Sequence, residues 1–209
     1  PDGPPAVLIQ HLRDLRPEDR FANYMDLYLI LPERRGDRIE LGEPIHIASD
    51  TLPFCRHSGA PNWTATRDGK THVVWGGITD DKDAPGVPTW VRTVDHKTRT
   101  AGEPVLLGHG APVNDSHNAP GIVLDSQGHL HVVIGAHQQP FHYTRSLKPN
   151  DIAGGWTEPI RVLDSGRFDA LASDEGRACQ TYAALLCDSQ DTLHITYRQY
   201  RSGGDRIFD

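Results

Sequence analysis

Two short motifs recur along the chain in the same order, and this repetition constrains the fold more than any other feature of the sequence. The first motif reads GEPIHI from Gly42, GEPVLL from Gly102 and TEPIRVL from Thr157, at intervals of 60 and 55 residues. The second motif follows each copy of the first and joins a turn to an extended segment. Repeats of this length indicate a protein built from several similar modules that pack against their neighbours.

The second motif has the alternating pattern of a β-strand. Its copies read RDGKTHVVWGG, DSQGHLHVVIGAH and DSQDTLHITYRQY, and they carry the histidines His72, His131 and His194. Side chains alternate between the two faces of a strand, so His131 and His137 of the middle copy share one face. About four strands in each module of roughly 60 residues are typical of a propeller blade. We therefore predict an all-β fold, a β-propeller, in which the three recurrent histidines have structural roles.

The chain holds about three and a half of these modules. The predicted blade repeats end near residues 47, 107 and 163, and an incomplete blade continues to residue 209, so that residues 1–209 form one partial propeller domain. Propellers typically close with four to eight blades, and an open ring would expose the edges of its sheets. We therefore expect the chain to be part of a longer protein or to be completed by assembly. One segment, HLRDLRPEDR from His11, has some helical character instead.

The charge and hydropathy of the chain exclude several classes of partner. The formal net charge is −7 and there is no basic stripe, which argues against a nucleic-acid partner. No apolar segment reaches the roughly 18 residues of a membrane span, so we predict no membrane partner. An acidic chain can still bind an anionic sugar, because close contact with an arginine outweighs a screened distant field. We expect a secreted or periplasmic location, although no signal peptide is visible.

The second half of the chain carries a family resemblance. The string NDSHNAPGIVLDSQGHLHVVIGAHQQPFHYTRS, followed by TYAALLCDSQDTLHITYR, resembles the BNR-repeat propellers that include polysaccharide lyases of the ulvan-lyase type. The likeness extends from about residue 95 to residue 201. It implies a seven-bladed ring with two histidines, a tyrosine and an arginine near its centre. The positions that match are His117, His137, Tyr182 and Arg198.

The resemblance implies β-elimination on a uronic-acid-containing glycan such as ulvan, an acidic polysaccharide, without a catalytic cofactor. Arg198 would neutralise the uronate carboxylate, and His117 and Tyr182 would act as base and acid in an order that the sequence leaves open. His137 would hold the carboxylate or orient a neighbour. We predict that Asn118, His137 and Arg198 contact the substrate.

Other interpretations of the same residues stay open. A noncatalytic glycan-binding propeller would need only the blades, and a sialidase-like glycoside hydrolase would need a cluster of arginines. His117 could itself be a repeat residue, because His57 lies at the matching position, 15 residues after Gly42. Several neighbouring histidines leave a structural calcium or zinc ion open, although no HExxH motif supports one. These histidines are His117, His129, His131, His137 and His142.

Overall fold

The computed structural model describes residues 4–15, 22–54, 62–162, 180–200 and 206–208. His57, whose predicted equivalence with His117 rested on the repeat, lies outside the described residues. Every regular element in the described part of the chain is a β-strand, as predicted, and all strand pairings are antiparallel. Within these residues there is no helix that could cross a membrane.

The first sheet has the strand order β1-β2-β5, and a separate hairpin, β3-β4, lies between β2 and β5 in the chain. The strands are β1 (Val7–Asp14), β2 (Tyr24–Ile30), β3 (Glu33–Arg35), β4 (Arg38–Glu40) and β5 (Ile45–Thr51). The helical character predicted from His11 onward is wrong for residues 11–14, which belong to β1. Pairing of β1 with β2 along its whole length outweighs the local preference of these residues.

The second and third sheets each contain five strands. The second has the order β10-β8-β7-β6, with β9 paired to β8, and the third has the order β11-β12-β13-β14, with β15 paired to β13. The strands of the second sheet are β6 (Thr64–Arg67), β7 (Lys70–Gly76), β8 (Pro88–Asp95), β9 (Thr100–Ala101) and β10 (Val105–His109). Those of the third are β11 (Gly121–Leu124), β12 (Leu130–Ile134), β13 (Phe141–Lys148), β14 (Asp151–Trp156) and β15 (Ile160–Val162).

The fourth sheet contains β16 (Gln180–Cys187), β17 (Leu193–Tyr200) and β18 (Arg206–Phe208), in that order. None of the four sheets closes on itself. The sequence repeats coincide with equivalent parts of the sheets: the GEP or TEP motif enters β5, β10 and β15, and the turn of the second motif joins β6 to β7, β11 to β12 and β16 to β17.

Consecutive sheets share apolar cores. One core joins the first and second sheets, another the second and third, and another the third and fourth. In the last of these, Phe141 and Val133 of the third sheet pack with Ala183 and Leu185 of the fourth. The strand β11 also lies beside both β6 and β16. The first strands of the second, third and fourth sheets, here called the leading strands, are therefore neighbours. Face-to-face burial of this kind removes apolar surface from water at each junction.

The hairpin turns of the second motif hold neighbouring sheets together. Arg67 donates hydrogen bonds from Nη1 to the carbonyl oxygens of Asp125 (3.1 Å) and Ser126 (2.9 Å). Asp191 in turn accepts hydrogen bonds from the backbone nitrogen (2.7 Å) and hydroxyl group (2.6 Å) of Ser126. The recurring turn is therefore a structural link between modules.

The recurrent histidines occupy structural positions within this framework. His72 is fully buried between Thr93 (2.8 Å) and Asn150 (2.7 Å), and burial lowers the pKa of its imidazole. His131 bonds to the hydroxyl group of Tyr143 (2.7 Å), and its pKa is likewise lowered by burial. His194 bonds to Asp188 (3.0 Å). The contacts of His72 and His131 agree with their predicted structural roles, whereas the side chain of His194 is half-exposed.

Candidate functional site

The loop between β10 and β11 places His117 through a local turn at Asp115. The carboxylate of Asp115 accepts a hydrogen bond from the backbone nitrogen of His117 (2.8 Å), which is the pattern of an Asx turn. The carbonyl oxygen of Asp115 accepts a second bond from the backbone nitrogen of Asn118 (2.9 Å). Two consecutive residues are thereby fixed by one aspartate, and the side chain of His117 is only 12% exposed.

Asn118 holds this loop from the inside. Its side chain accepts a hydrogen bond at Oδ1 from the nitrogen of Ala111 (2.9 Å), and Nδ2 donates to the carbonyl oxygen of Val113 (2.9 Å). The residue is 1% exposed. Both ends of the amide are therefore occupied by the loop itself, so Asn118 positions the loop, and its contact with substrate stays a prediction.

The same loop packs directly on the backbone after β12. A Cβ atom at Gly135 would overlap with the carbonyl group of Asn118. Glycine is therefore required where the two segments meet, because any side chain would push the loop outward.

We expect Gly135→Ala to destabilise the protein by about 1–3 kcal/mol and to displace His117, because the added methyl group overpacks the contact with Asn118. Denaturant unfolding measures the first effect, and the chemical shift of the His117 ring protons the second. Gly102→Ala is a matched control, because Gly102, like Gly135, is not at positive φ, but an added Cβ would make only an ordinary contact of 3.7 Å with the carbonyl oxygen of Thr93. Unchanged His117 shifts in a destabilised Gly135→Ala variant would contradict this expectation.

His137 lies just beyond β12 and is tied to the fourth sheet. Its backbone forms an isolated β-bridge with Thr181, and the nitrogen of Gln138 donates to the carbonyl oxygen of Gln180 (2.9 Å). The side chain of His137 is 23% exposed. The third sheet therefore delivers this histidine to the start of β16.

Tyr182 lies on a bulge of β16. The pairing of β16 with β17 shifts register between Thr181 and Ala184, and Tyr182 has a φ of +61°. Left-handed backbone is uncommon for an aromatic residue, and it costs about 1–3 kcal/mol where the surrounding structure enforces it. The bulge turns the tyrosine ring toward His117.

Arg198 is the cross-strand partner of Thr181 and lies beside this bulge. The Cζ atom of its guanidinium is 4.0 Å from the centre of the Tyr182 ring, within the range of a cation–π interaction. Both side chains belong to residues that are only 9% exposed. An arginine held against an aromatic face keeps its charge and its planar set of donors.

The four residues predicted from the sequence form one row in the order His137, His117, Tyr182, Arg198. The centres of the two imidazole rings are 4.5 Å apart and the rings are nearly parallel, at 24°. The Tyr182 ring lies 5.2 Å from the ring of His117. Residues that are up to 81 positions apart in the chain are thus brought together by a loop, a strand end and two paired strands.

Asp115 belongs to this row, and the sequence reasoning missed it. Its Oδ1 atom is hydrogen-bonded to Nδ1 of His117, and its Oδ2 atom lies 3.2 Å from Nδ1 of His137. Burial opposes ionisation of Asp115, but the hydrogen bonds from the two imidazoles and from the His117 backbone together hold the pKa of this carboxyl well below its usual value. The signal in the sequence was the Asx-turn spacing of Asp115 and His117.

The donor atoms of Asp115, His117 and His137 also lie within 4.8 Å of one another, which is the spacing expected of cation ligands. Of the other histidines in the predicted local set, His129 and His131 lie near Asp125, at 3.4 and 3.2 Å. The structure therefore divides that set into at least two separate groups.

Comparison with known families identifies the chain. Residues 85–207 match the family model described as a BNR repeat-containing family member. The chain belongs to the BNR repeat-containing family. The match covers more than half of this BNR-repeat chain, from within the second sheet to the last strand, and it includes all four residues of the row. No curated protein matches the chain.

Proposed function

We propose that this BNR-repeat chain is part of a polysaccharide lyase that cleaves a uronic-acid-containing, ulvan-like glycan by β-elimination. The observation that carries the proposal is the row of two imidazoles, a phenol and a guanidinium, all partly or largely buried and each in contact with its neighbour in the row. These groups supply a base, an acid and a carboxylate-binding cation at one place.

We also propose that the sheets are blades of a β-propeller and that the complete ring has seven blades. Support comes from the apolar cores shared by consecutive sheets and from the contact of β11 with both β6 and β16. In a propeller, the leading strands of neighbouring blades surround the central channel. Tyr182 lies on the bulge of β16 and His117 in the loop that leads into β11, so the row would face that channel.

The first task in the reaction belongs to Arg198. The proton on carbon five of a uronate is weakly acidic while the neighbouring carboxylate is charged. A guanidinium that binds both carboxylate oxygens neutralises this charge and stabilises the enolate that develops when the proton leaves. Contact with the Tyr182 ring holds the guanidinium in place.

The second task is proton transfer. A base takes the carbon-five proton, the double bond forms between carbons four and five, and the bond from carbon four to the glycosidic oxygen breaks. An acid protonates that oxygen. His117 and Tyr182 serve as this pair, and the order depends on which face of the sugar ring carries the proton, which differs between glucuronate and its carbon-five epimer. His137 supports the carboxylate or the neighbouring imidazole.

The decisive experiment is incubation of the protein, with its complete ring of blades, with ulvan, followed by measurement of the ultraviolet absorbance of the unsaturated uronate. We expect absorbance to grow with time for the wild type, and not for His117→Ala or Arg198→Ala. New reducing ends without absorbance would indicate a hydrolase. Glycan binding without cleavage by the wild type would indicate a binding propeller, and either result would overturn the lyase proposal.

An acidic polysaccharide substrate agrees with a secreted or periplasmic location, which we also propose.

A further inference from the structure

Asp115 lies between the two imidazoles of the row, with one carboxylate oxygen near the Nδ1 atom of each. One carboxylate oxygen meets Nδ1 of His117, and the other lies 3.2 Å from Nδ1 of His137. The carboxylate is 16% exposed, and the imidazoles are 12% and 23% exposed. The arrangement is therefore partly shielded from water, where hydrogen bonds to a charged group are worth more than in bulk solvent.

An ionised carboxylate can only accept hydrogen bonds. Each imidazole that bonds to Asp115 must therefore carry a proton on Nδ1. In a neutral imidazole this leaves Nε2 without a proton and able to accept one. We propose that Asp115 is a positioning residue that holds both His117 and His137 as Nδ1–H tautomers, so that Nε2 is the nitrogen of each imidazole at which a proton can be gained or lost.

The role of Asp115 in catalysis rests on the proposed function, whereas the tautomers of His117 and His137 do not depend on it. When an Nε2 atom accepts a proton from the sugar, the imidazole becomes cationic while Nδ1 keeps its own proton. The charge of Asp115 offsets the new positive charge at a distance of one hydrogen bond. Asp115 itself takes no proton and touches no substrate.

A shared metal ion is the competing interpretation of the same three residues. An ion bound by both imidazoles would lie about 2 Å from each nitrogen and close to both ring planes. The two rings are stacked with centres 4.5 Å apart and planes only 24° apart, an arrangement that does not favour one ion lying in both ring planes. Asp115 and His117 are instead joined by a direct hydrogen bond. The geometry therefore favours hydrogen bonds from the two imidazoles to Asp115 over a shared metal ion.

Asp115→Asn is the test, because asparagine keeps the shape of the side chain and can still accept the backbone bond from His117. In an amide one of the two carboxylate oxygens is replaced by a donor nitrogen, so only one of the two imidazoles still faces an acceptor atom. The matched control is Asp188→Asn, which changes another aspartate that bonds to a histidine, His194, in a turn of the fourth sheet.

The readout is the tautomeric state of each histidine, measured by long-range proton–nitrogen correlation on nitrogen-15-labelled chain at alkaline pH. We expect both His117 and His137 to carry the proton on Nδ1 in the wild type and in Asp188→Asn. In Asp115→Asn one of the two should switch to the Nε2–H tautomer. A wild type with Nε2–H protons on either imidazole, or an unchanged Asp115→Asn spectrum, would overturn the proposal.

Kinetics and metal analysis complete the test. We expect Asp115→Asn to lower kcat about 10- to 100-fold with little change in KM, as is common when a residue that orients a reacting group is altered. Purified chain that holds one zinc ion per molecule and loses its histidine tautomer pattern on chelation would overturn the proposal in favour of a metal site. If no glycan is cleaved, the tautomer measurement still decides the role of Asp115, and only the lyase proposal fails.

Discussion

Arg198→Lys is expected to lower the kcat of uronate-glycan cleavage by at least about 100-fold while the chain stays folded. Lysine keeps the positive charge but lacks the planar fork that binds both oxygens of a carboxylate. It also cannot reproduce the contact of the guanidinium with the Tyr182 ring, which fixes the direction of the donors. The loss should therefore appear in turnover, because the charge that Arg198 stabilises is greatest in the transition state.

A methyl-esterified substrate separates this role from a general loss of structure. Esterification removes the carboxylate charge in advance, so the ratio of wild-type to Arg198→Lys rates should be clearly smaller on the ester than on the free acid. Arg67→Lys is the matched control, because Arg67 binds backbone carbonyl oxygens in a turn between sheets. Equal losses on both substrates would show that Arg198 does not act through the carboxylate.

The repeat motifs allowed much of the fold to be predicted, because they carry strong local signals. A turn such as DSQG followed by alternating apolar residues specifies a hairpin with little help from the rest of the chain. The all-β class and the placement of the second motif at β6–β7, β11–β12 and β16–β17 follow from such signals. The strand conformation of residues 11–14 does not follow from a local signal, because it depends on pairing with β2.

The four residues of the row were predicted from a family resemblance, and the structure brings them together. Their conformations could not be predicted in the same way. The positive φ of Tyr182 depends on a register shift between β16 and β17, which no local preference of the sequence TYAAL indicates. A strained conformation of this kind exists only because the surrounding packing enforces it.

Asp115 and Asn118 show where sequence reasoning was weakest. Both lie in the string NDSHN, one or two residues from His117, and only one of them was predicted to belong to the site. Asn118 was predicted to contact substrate, and the hydrogen bonds of its amide to the buried loop could not be predicted from the sequence. The contact of Asp115 with His137, 22 residues further along, depends on the packing of the loop against β12 and is invisible in the local pattern.

Tyr182→Phe is expected to lower kcat by about 100- to 10,000-fold, because it removes only the hydroxyl group that transfers a proton. The phenyl ring can keep both the contact with His117 and the contact with Arg198, and phenylalanine meets the same backbone requirement as tyrosine at a φ of +61°. The free energy of unfolding should therefore change by no more than about 1 kcal/mol. Stopped-flow absorbance of the unsaturated product and denaturant unfolding measure the two effects on one preparation.

The matched control for this variant is Tyr143→Phe, which removes a tyrosine hydroxyl that is also bonded to a histidine, His131, but within the third sheet. Its loss should lower stability by about 1 kcal/mol and leave turnover unchanged. The two variants thus compare a tyrosine hydroxyl that is proposed to transfer a proton with one that is proposed to stabilise the fold. If Tyr143→Phe and Tyr182→Phe reduced turnover equally, the proton-transfer role of Tyr182 would be wrong, because the loss would then follow from weakened packing of the sheets rather than from the missing acid or base.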